Sequence, residues 1–555
     1  MKNIIFIISA FFLIFTSCKD DFLNEEPLDF LSSVNAYDTY EGLDATVNNL
    51  YWFSRRIFYD RDERRPFDFI FGTDLVLDGQ PSTDRHTNMI AAYDPTSEIP
   101  ATHWDNLYSM IVESNIVESR APIAEISEEQ RIELLAQARF FRAFAYRALV
   151  YIWGGVPLVT EEITEPRTDF VRASKEEVLD QIIKDLTYAA DNLPRIDETQ
   201  DGRLNNLAAQ HLLSEVYLAA GRPQDAVNAA SIVINDPATG LMQNRFGSRS
   251  NETPGDVYWD LFRMNNQNRT SGNTEGLWVI QFETDVLGGS TVSGGRDGSY
   301  MLERQHAPFV RNVRINGTAP FLFPRSGYTG GRGIGWAVPT YHFSNEIWEG
   351  DFDNDIRNAN HNFVREFTVD NPDSPLFGQI ISTENRPEGE GVVLDTTRDF
   401  YAYQSKVTTP FNHPDGLYEN RELGILKSTA GATYTDQYMF RLAETYLLRA
   451  EAYLDLGNTQ NAAEDINVVR SRAAASSVAA SEVDIDYILD ERMRELGMEE
   501  KRRLTLMRLG LLYDRVIDLN PYYADEVLPK YNLWPIPQAE IERNIDAVLE
   551  QNPGY

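Results

Sequence analysis

The stretches SEVYLAAGRPQDAVNAA, residues 214–230, and AEAYLDLGNTQNAAEDI, residues 450–466, share one pattern. In both, a tyrosine stands four residues before a glycine, an alanine follows five residues later, and an apolar residue comes four residues after that. The matching positions are Tyr217, Gly221, Ala226 and Ala230 in the first stretch, and Tyr453, Gly457, Ala462 and Ile466 in the second. Two copies in the same register indicate an internal repeat.

This pattern resembles the tetratricopeptide repeat, a pair of helices joined by a tight turn. The resemblance implies that the tyrosine packs between paired helices, that the glycine makes the turn, and that the alanine lets the second helix approach closely. A shorter echo links RAFAY at residues 142–146 with RAEAY at residues 449–453. We therefore expect a mainly α fold built on tetratricopeptide-like helix pairs.

Helical periodicity also runs through residues 105–151, where apolar residues recur at intervals of three and four and form one apolar stripe. Ser127 offers a helix start inside this region, because its side chain can cap the following turn. Gly154 lies where the second helix should end. A further helix is predicted over residues 175–192.

The region from about residue 240 to 435 breaks the helical pattern. Residues 272–335 hold 13 of the 34 glycines in the chain, together with short strand-like runs such as LWVIQFE at residues 277–283. Long segments of this kind in a compact protein are usually functional loops. We therefore expect a loop-rich, ligand-binding insertion with short strands, carried on the helical scaffold.

The N-terminus has the features of an export signal. One cation at Lys2 precedes an apolar run over residues 4–15, which is too short to span a bilayer. The only cysteine, Cys18, follows directly and resembles the lipid-attachment site of bacterial lipoproteins. We expect residues 1–18 to be a lipoprotein signal peptide and Cys18 to carry the lipid. The alternative is an ordinary secreted protein with a chance cysteine at this position.

The expected organisation has five parts. A signal peptide and a lipid-anchored tether come first, then a helical region, the loop-rich insertion, and a helical repeat with the tail. Their predicted bounds are residues 1–18, 19–44, 45–239, 240–435 and 436–555.

Composition narrows the function. The chain has 85 acidic and 50 basic side chains and a net charge of −35, which repels nucleic acid and keeps the protein soluble. With one cysteine, no internal disulfide can form. The chain contains no HExxH, GxSxG or phosphate-loop motif, so we expect neither an enzyme nor a cofactor.

One acidic stretch begins like a calcium loop. In DFDNDIRNANH, Asp351, Asp353 and Asp355 alternate, but Ile356 stands where glycine is needed and Asn362 where the final glutamate belongs. We therefore expect an acidic turn in contact with solvent and no metal site.

Several separated blocks resemble the SusD/RagB family of outer-membrane lipoproteins. They follow one another in the order of that family and span nearly the whole chain after Cys18. The blocks are WDNLYSMIVESN (104–115), ARFFRAFAYRALVYIWGGVPLVT (138–160), PTYHFSNEIWEGDFDNDIR (339–357), FRLAETYLLRAEAYLDLG (440–457), ILDERMRELGMEEKRRLTLMRLG (488–510), WPIPQAEIERN (534–544) and QNPGY (551–555). Residues 284–338 match nothing in the family pattern, which fits ligand-facing loops that vary.

The resemblance implies a cell-surface lipoprotein that captures oligosaccharide or polysaccharide. Such a protein is anchored in the outer membrane, faces the cell exterior, and delivers the glycan to a SusC-like TonB-dependent transporter. Three alternatives remain: peptide capture as in RagB-like members, a module that binds partner proteins, and a hydrolase.

Carbohydrate sites pair exposed aromatic rings with a few hydrogen-bonding groups. We expect Trp336, Tyr300 and Tyr328 to form such platforms, because they stand in glycine-rich loops. The resemblance places the loop of residues 74–103 at the same face. The candidates in that loop are Asp78, Asn88 and Tyr93. Four other tryptophans are expected in the core, namely Trp104, Trp153, Trp278 and Trp534.

A basic island lies in the insertion. Residues 291–340 contain six arginines against Asp297 and Glu303, a local charge of +4 within a chain of −35. Arginine matches carboxylate and sulfate groups, so the island suggests an anionic glycan bound by Arg314, Arg325 and Arg332. The alternative is that these arginines pair with the acidic remainder of the protein.

Overall fold

The computed structural model describes residues 37–80, 88–291, 299–383 and 392–555. The predicted signal peptide and Cys18 lie outside the described residues. The α-helices of the described part are α1 (Tyr40–Phe58), α2 (Met89–Ala92), α3 (Glu98–Arg120), α4 (Glu128–Trp153), α5 (Lys175–Asn192), α6 (Asn206–Ala219), α7 (Pro223–Ile234), α8 (Val257–Leu261), α9 (Leu302–His306), α10 (Tyr341–Ser344), α11 (Leu442–Asp455), α12 (Thr459–Arg472), α13 (Ile485–Leu496), α14 (Arg502–Leu509), α15 (Leu512–Leu519) and α16 (Gln538–Arg543).

The long helices begin where capping side chains allow it. Ser127 accepts a hydrogen bond from the Gln130 N–H, and the Gln130 side chain returns one to the Ser127 N–H, so α4 starts with a complete capping box. Helix α5 matches its predicted range. Helix α1 starts at Tyr40, inside the predicted tether, because Thr39 caps it by accepting from the Gly42 N–H.

Helix α4 forms the centre of the N-terminal half. Its last two-thirds are buried on nearly every side, and it packs against α3 and α5. Trp278 stands edge-on to Phe140 and Phe144 of this helix at 5.6 Å. The four tryptophans expected in the core are all buried, which confirms that prediction.

The two repeats adopt the same turn. The Arg222 N–H donates to the Tyr217 carbonyl, and the Asn458 N–H donates to the Tyr453 carbonyl, each at 2.8 Å. The glycine of each turn, Gly221 in the first, has a positive φ that L residues rarely adopt. The two tyrosine rings lie in one apolar cluster between the helix pairs α6–α7 and α11–α12. The prediction of a mainly α fold on paired helices is confirmed.

The strands of the described part are short and lie mostly between α7 and α11. They are β1 (Val76–Asp78), β2 (Gly276–Ile280), β3 (Ala337–Pro339), β4 (Phe363–Val364), β5 (Glu366–Thr368), β6 (Ile380–Thr383), β7 (Val392–Leu394), β8 (Tyr403–Gln404), β9 (Tyr418–Asn420), β10 (Ile425–Leu426) and β11 (Gln437–Arg441). The antiparallel pairs are β1–β3, β2–β11, β4–β8, β9–β10 and β5–β6, and β6 also pairs with β7 in parallel. The pairs β1–β3, β2–β11 and β4–β8 join loops that are far apart in the sequence.

A buried network of ion pairs joins the loops to the C-terminal helices. Arg441 Nη1 donates to Glu275 Oε1 at 2.9 Å, and it also donates to Glu495. Arg357 and Arg472 reach the same Glu495 side chain from two other segments. The shared carboxylate fixes β11, α12 and α13 against one another.

The acidic turn that begins at Asp351 takes part in this packing. Asp351 pairs with Arg470 at 2.5 Å, and Asp355 pairs with Arg357 at 2.6 Å. Both carboxylates are buried. The expectation of a turn in contact with solvent is correct for Asp353, which is exposed, and wrong for Asp351 and Asp355, because Arg470 and Arg357 cover their carboxylates. None of the helices in the described part of the chain has the length and apolarity needed to span a bilayer.

Candidate functional site

The antiparallel pair of β1 and β3 brings together two predicted ligand residues from opposite ends of the fold. Asp78 stands opposite Ala337, the residue that follows Trp336. The Gly79 N–H donates to the Trp336 carbonyl at 2.6 Å and continues the pairing beyond the strands. The backbones of Asp78 and Trp336 therefore meet at one edge of the β1–β3 pair, although more than 250 residues separate them. Because successive side chains of a strand alternate, the two side chains lie on opposite sides of that pair.

Two glycines let further segments approach this edge. A Cβ on Gly335 would lie 2.1 Å from the Arg398 carbonyl oxygen and 3.4 Å from the Phe309 nitrogen. A Cβ on Gly79 would lie 2.3 Å from the Gly335 carbonyl oxygen. Only glycine fits at such contacts, and this close approach packs the segments around Phe309 and Arg398 against the β1–β3 pair.

Phe309 lies between two guanidinium groups. The central carbon of Arg311 lies 4.3 Å from the centre of the phenyl ring, and that of Arg398 lies 5.3 Å from it. The Phe309 N–H donates to the Arg398 carbonyl at 3.2 Å, and this bond holds the two segments together. Arg314 Nη1 donates to the Arg311 carbonyl at 2.6 Å. We call the surface formed by Phe309, Arg311, Arg314, Trp336 and Arg398 the Phe309 face.

The charges of this face are not balanced by neighbours. Within the described ranges, Arg311, Arg314 and Arg398 form no ion pair with a carboxylate. Arg311 and Arg314 are exposed to solvent, whereas Arg398 is half-buried and donates from Nη2 to the Ile334 carbonyl at 2.7 Å. The sequence missed Phe309 and Arg398, since neither stands beside a turn or a glycine run that would single it out.

Other arginines of the basic island serve the fold. Arg325 pairs with Asp370 at 3.0 Å, and Arg304 pairs with Glu63 at 2.8 Å. The Arg332 N–H donates to Glu303 Oε1 at 3.1 Å. Among the described arginines of the island, Arg304 and Arg325 pair with carboxylates, whereas Arg311 and Arg314 lie at the Phe309 face.

Two predicted platforms lie in the core instead. Tyr300 is 2% exposed and stacks on Phe67 with ring centres 5.4 Å apart. Tyr93 is 1% exposed, and its hydroxyl accepts a hydrogen bond from Arg503 at 2.6 Å. We correct both assignments, because rings enclosed on all sides offer no face to a ligand. Burial also raises the pKa of Tyr300 well above its usual range.

Tyr328 lies on a second aromatic surface. Its half-buried ring meets Phe411 edge-on at 5.4 Å, and Phe411 is 56% exposed with a positive φ of 59°. A left-handed backbone at a bulky residue is unusual and often occurs at functional sites.

Asn88 has a structural role, because its Oδ1 accepts from the Ala91 N–H at 3.0 Å and caps α2.

A pocket beside α1 is a competing surface. It has a volume of about 410 Å³ and is lined by Trp52, Arg55, Val286 and Leu287, among others. Trp52 is 47% exposed, but the Arg56 guanidinium lies 5.0 Å from its ring. One face of that indole is therefore already occupied by the protein itself.

The Phe309 face offers aromatic rings and guanidinium donors. Such a set can stack on the C–H face of a sugar ring and hydrogen-bond its rim. No group of three or more His, Cys, Asp and Glu side chains that could hold a metal ion occurs in the described part of the chain. The arrangement is suited to binding a polar, ring-shaped ligand.

Two family models match the chain. The model described as the SusD family matches residues 259–555, and one described as "Starch-binding associating with outer membrane" matches residues 25–218. Residues 219–258 lie between the two matched ranges, and the Phe309 face lies within the range 259–555.

Whole proteins show the same relationship. SusD-like protein P25 of Formosa agariphila is 25% identical, and the alignment covers 99% of each chain. The starch-binding protein SusD of Bacteroides thetaiotaomicron is 36% identical over 23% of this chain and 24% of its own. A solved laminarin-binding SusD-like protein, 22% identical, superposes with a TM-score of 0.64 over 93% of this chain and 99% of its own. The first family model covers more than half of this chain, and the chain therefore belongs to the SusD family.

Proposed function

We propose that this protein captures oligosaccharides at the Phe309 face and delivers them to a partner TonB-dependent transporter of the SusC type. A lipid on Cys18 holds it in the outer membrane with this face toward the cell exterior. The observation that carries the proposal is the approach of the Phe309 and Arg398 segments to Trp336 at the edge of the β1–β3 pair.

The relatives support a carbohydrate ligand. One is named a starch-binding protein, and a solved structure with the same fold is named laminarin-binding. The family model that matches the N-terminal half is described as associated with the outer membrane. Membership of this family also makes the chain a binding protein and not an enzyme.

Stacking explains why Trp336 should matter most for a neutral sugar. A sugar ring buries its C–H face against an indole, and its hydroxyl groups remain free to bond the surrounding donors and acceptors. Trp336 is half-buried, and its backbone is held on both sides by the Gly79 and Gln305 main chains. The ring is therefore presented on a rigid support, which limits the entropy lost on binding.

The proposal is tested by calorimetric titration of the full chain in detergent with a panel of neutral oligosaccharides and a peptide mixture. We expect Trp336→Ala to weaken binding of the best neutral glycan by about tenfold or more, as loss of one aromatic anchor does. Trp52→Ala is the matched control, because Trp52 is the exposed tryptophan of the competing pocket.

Two results would contradict the assignment. Unchanged affinity in Trp336→Ala with a loss in Trp52→Ala would move the ligand to the pocket beside α1. Binding of peptides alone would replace glycan capture with peptide capture of the RagB-like type.

A further inference from the structure

We propose that the Phe309 face binds the acid group of an anionic glycan, either a sulfate ester or the carboxylate of a uronic acid. This inference rests on the proposed glycan-binding function and names the class of glycan. The groups that would hold the acid are Arg311, Arg314 and Arg398.

The charge balance of the chain makes this cluster unusual. With 85 acidic and 50 basic side chains, an arginine has many carboxylates with which to pair. Interior arginines such as Arg357 and Arg441 each bind several carboxylates. The three arginines of the Phe309 face form no such pair among the residues that the structure describes.

Geometry gathers these cations at one place. Arg311 and Arg398 both lie within 5.3 Å of the same phenyl ring, so their like charges repel each other across it. Arg314 is held to the same turn, since its Nη1 donates to the carbonyls of Arg311 and Val313. An anion bound to the outer, solvent-facing N–H groups of these arginines would offset this repulsion through charge-assisted hydrogen bonds.

The guanidinium group of Arg398 also has hydrogen-bond donors that the described residues of the protein do not use. A guanidinium group has five N–H donors, and Arg398 uses Nη2 for the Ile334 carbonyl. Its Nε is buried and has no hydrogen-bond partner in the described part of the chain. A buried donor without a partner is costly, and a sulfate or carboxylate oxygen would satisfy it.

The surrounding acids limit the kind of anion. Asp399, next to Arg398, accepts a hydrogen bond from Asn312 at 3.3 Å. The rest of the chain is strongly negative, although salt screens that field beyond about 8 Å at physiological ionic strength. The face therefore suits a glycan with isolated acid groups rather than a dense polyanion.

The test is calorimetry on the full chain with hexasaccharides of matched length in low and high salt. One is a neutral glucan, one contains uronic acid, and one carries sulfate esters. We expect one anionic hexasaccharide to bind about tenfold or more tightly than the neutral one at low salt. We expect high salt to reduce that preference, because the arginines are exposed.

Variants of Arg311 and Arg398 test whether these side chains cause the preference for the anionic hexasaccharide. Arg311→Gln combined with Arg398→Gln should reduce affinity for the anionic hexasaccharide about tenfold or more and remove its salt dependence. Arg311→Lys with Arg398→Lys should keep the salt dependence but lose part of the affinity, because lysine lacks the planar fork. Arg222→Gln is the matched control, since Arg222 is an exposed arginine over Tyr217 that already pairs with Asp225.

Each outcome decides the matter. Equal, salt-insensitive affinity for neutral and anionic hexasaccharides overturns this inference and leaves glycan capture standing. An anionic preference that survives in the double glutamine variant also overturns it. Failure to bind any oligosaccharide, with binding of peptides, overturns the proposed function itself. Preference for sulfate over uronate, or the reverse, supports the inference and identifies the acid.

Discussion

Arginines stand in two opposite settings in this protein. Around Glu495, the side chains of Arg357, Arg441 and Arg472 are buried and surrounded by carboxylates. At the Phe309 face, Arg311 and Arg314 are exposed and form no ion pair within the described residues. Arginine thus stabilises the buried core in one region and remains available to a ligand in the other.

The difference follows from the cost of removing charge from water. A buried guanidinium must be matched by carboxylates, because an isolated buried ion costs several kcal/mol. An exposed one keeps its hydration and needs no partner to persist. Arginines with matched carboxylates therefore indicate structure, and exposed arginines clustered without them indicate a ligand site.

The largest effect on stability is expected for Glu495→Gln, which removes the carboxylate shared by the buried arginines. The neutral amide keeps the shape of Glu495 but leaves three arginines with one carboxylate fewer. We expect the free energy of unfolding to fall by about 3–5 kcal/mol, as when one partner of a buried ion pair is removed. This change in the free energy of unfolding is measured by urea titration monitored by circular dichroism.

Glu464→Gln is the control for that variant. Glu464 is exposed on α12 and accepts only from the Gln460 side chain at 3.0 Å, so its loss should cost less than about 0.5 kcal/mol. Equal effects of the two substitutions would show that the buried network does not stabilise the fold.

Acid should weaken the same region. Burial alone would raise the pKa of Glu491, but Arg357, Arg494 and Arg470 outweigh it and lower the pKa to about 2. The unfolded chain then binds the proton more readily than the folded one, so stability falls as the pH drops through the range from about 4.5 to 2. The shift corresponds to about 3 kcal/mol.

Two further groups shape the pH profile above this range. Burial lowers the pKa of His306 to about 3, so stability declines as the pH falls below about 6.5. Burial raises the pKa of Asp436 to about 6, which acts in the opposite sense between pH 6 and 4. We expect the steep loss below pH 4.5 in urea titrations, and a flat profile between pH 5 and 2 would contradict the assignment.

The smallest effect is expected at the Phe309 face. Arg311→Gln removes an exposed cation and its contact with one phenyl ring, so the free energy of unfolding should change by less than about 1 kcal/mol. Thermal unfolding of the variant beside the wild type measures this. A loss as large as that of Glu495→Gln would make Arg311 structural and remove it from the ligand site.

Much of the scaffold was predictable from the sequence. The repeat of Tyr217 and Tyr453 predicted the paired helices, and Ser127 predicted the start of α4. These features are local, since a turn needs its glycine and a helix needs its cap wherever they stand. Trp278 was predictable as a core residue because it stands in an apolar strand, and Trp104, Trp153 and Trp534 because they belong to blocks of the family resemblance.

The site was predictable only in part. Trp336 and Asp78 were expected at a common face, but the β1–β3 pair brings only their backbones together and directs their side chains to opposite sides. Tyr300 was expected there as well, but it bridges to Thr433 and stacks on Phe67 in the core. A glycine-rich neighbourhood shows that a loop is present but does not show which way its aromatic ring points.

Sequence by itself determined the helical repeats, the composition of the insertion and the excess of negative charge, because each depends on neighbouring residues or on simple sums. Tertiary structure alone decided which arginines find carboxylates. Arg325 meets Asp370, whereas Arg311 and Arg398 both lie against the ring of Phe309. Electrostatic partners are set by distances in space, and segments nearly 90 residues apart become neighbours only when the chain has folded.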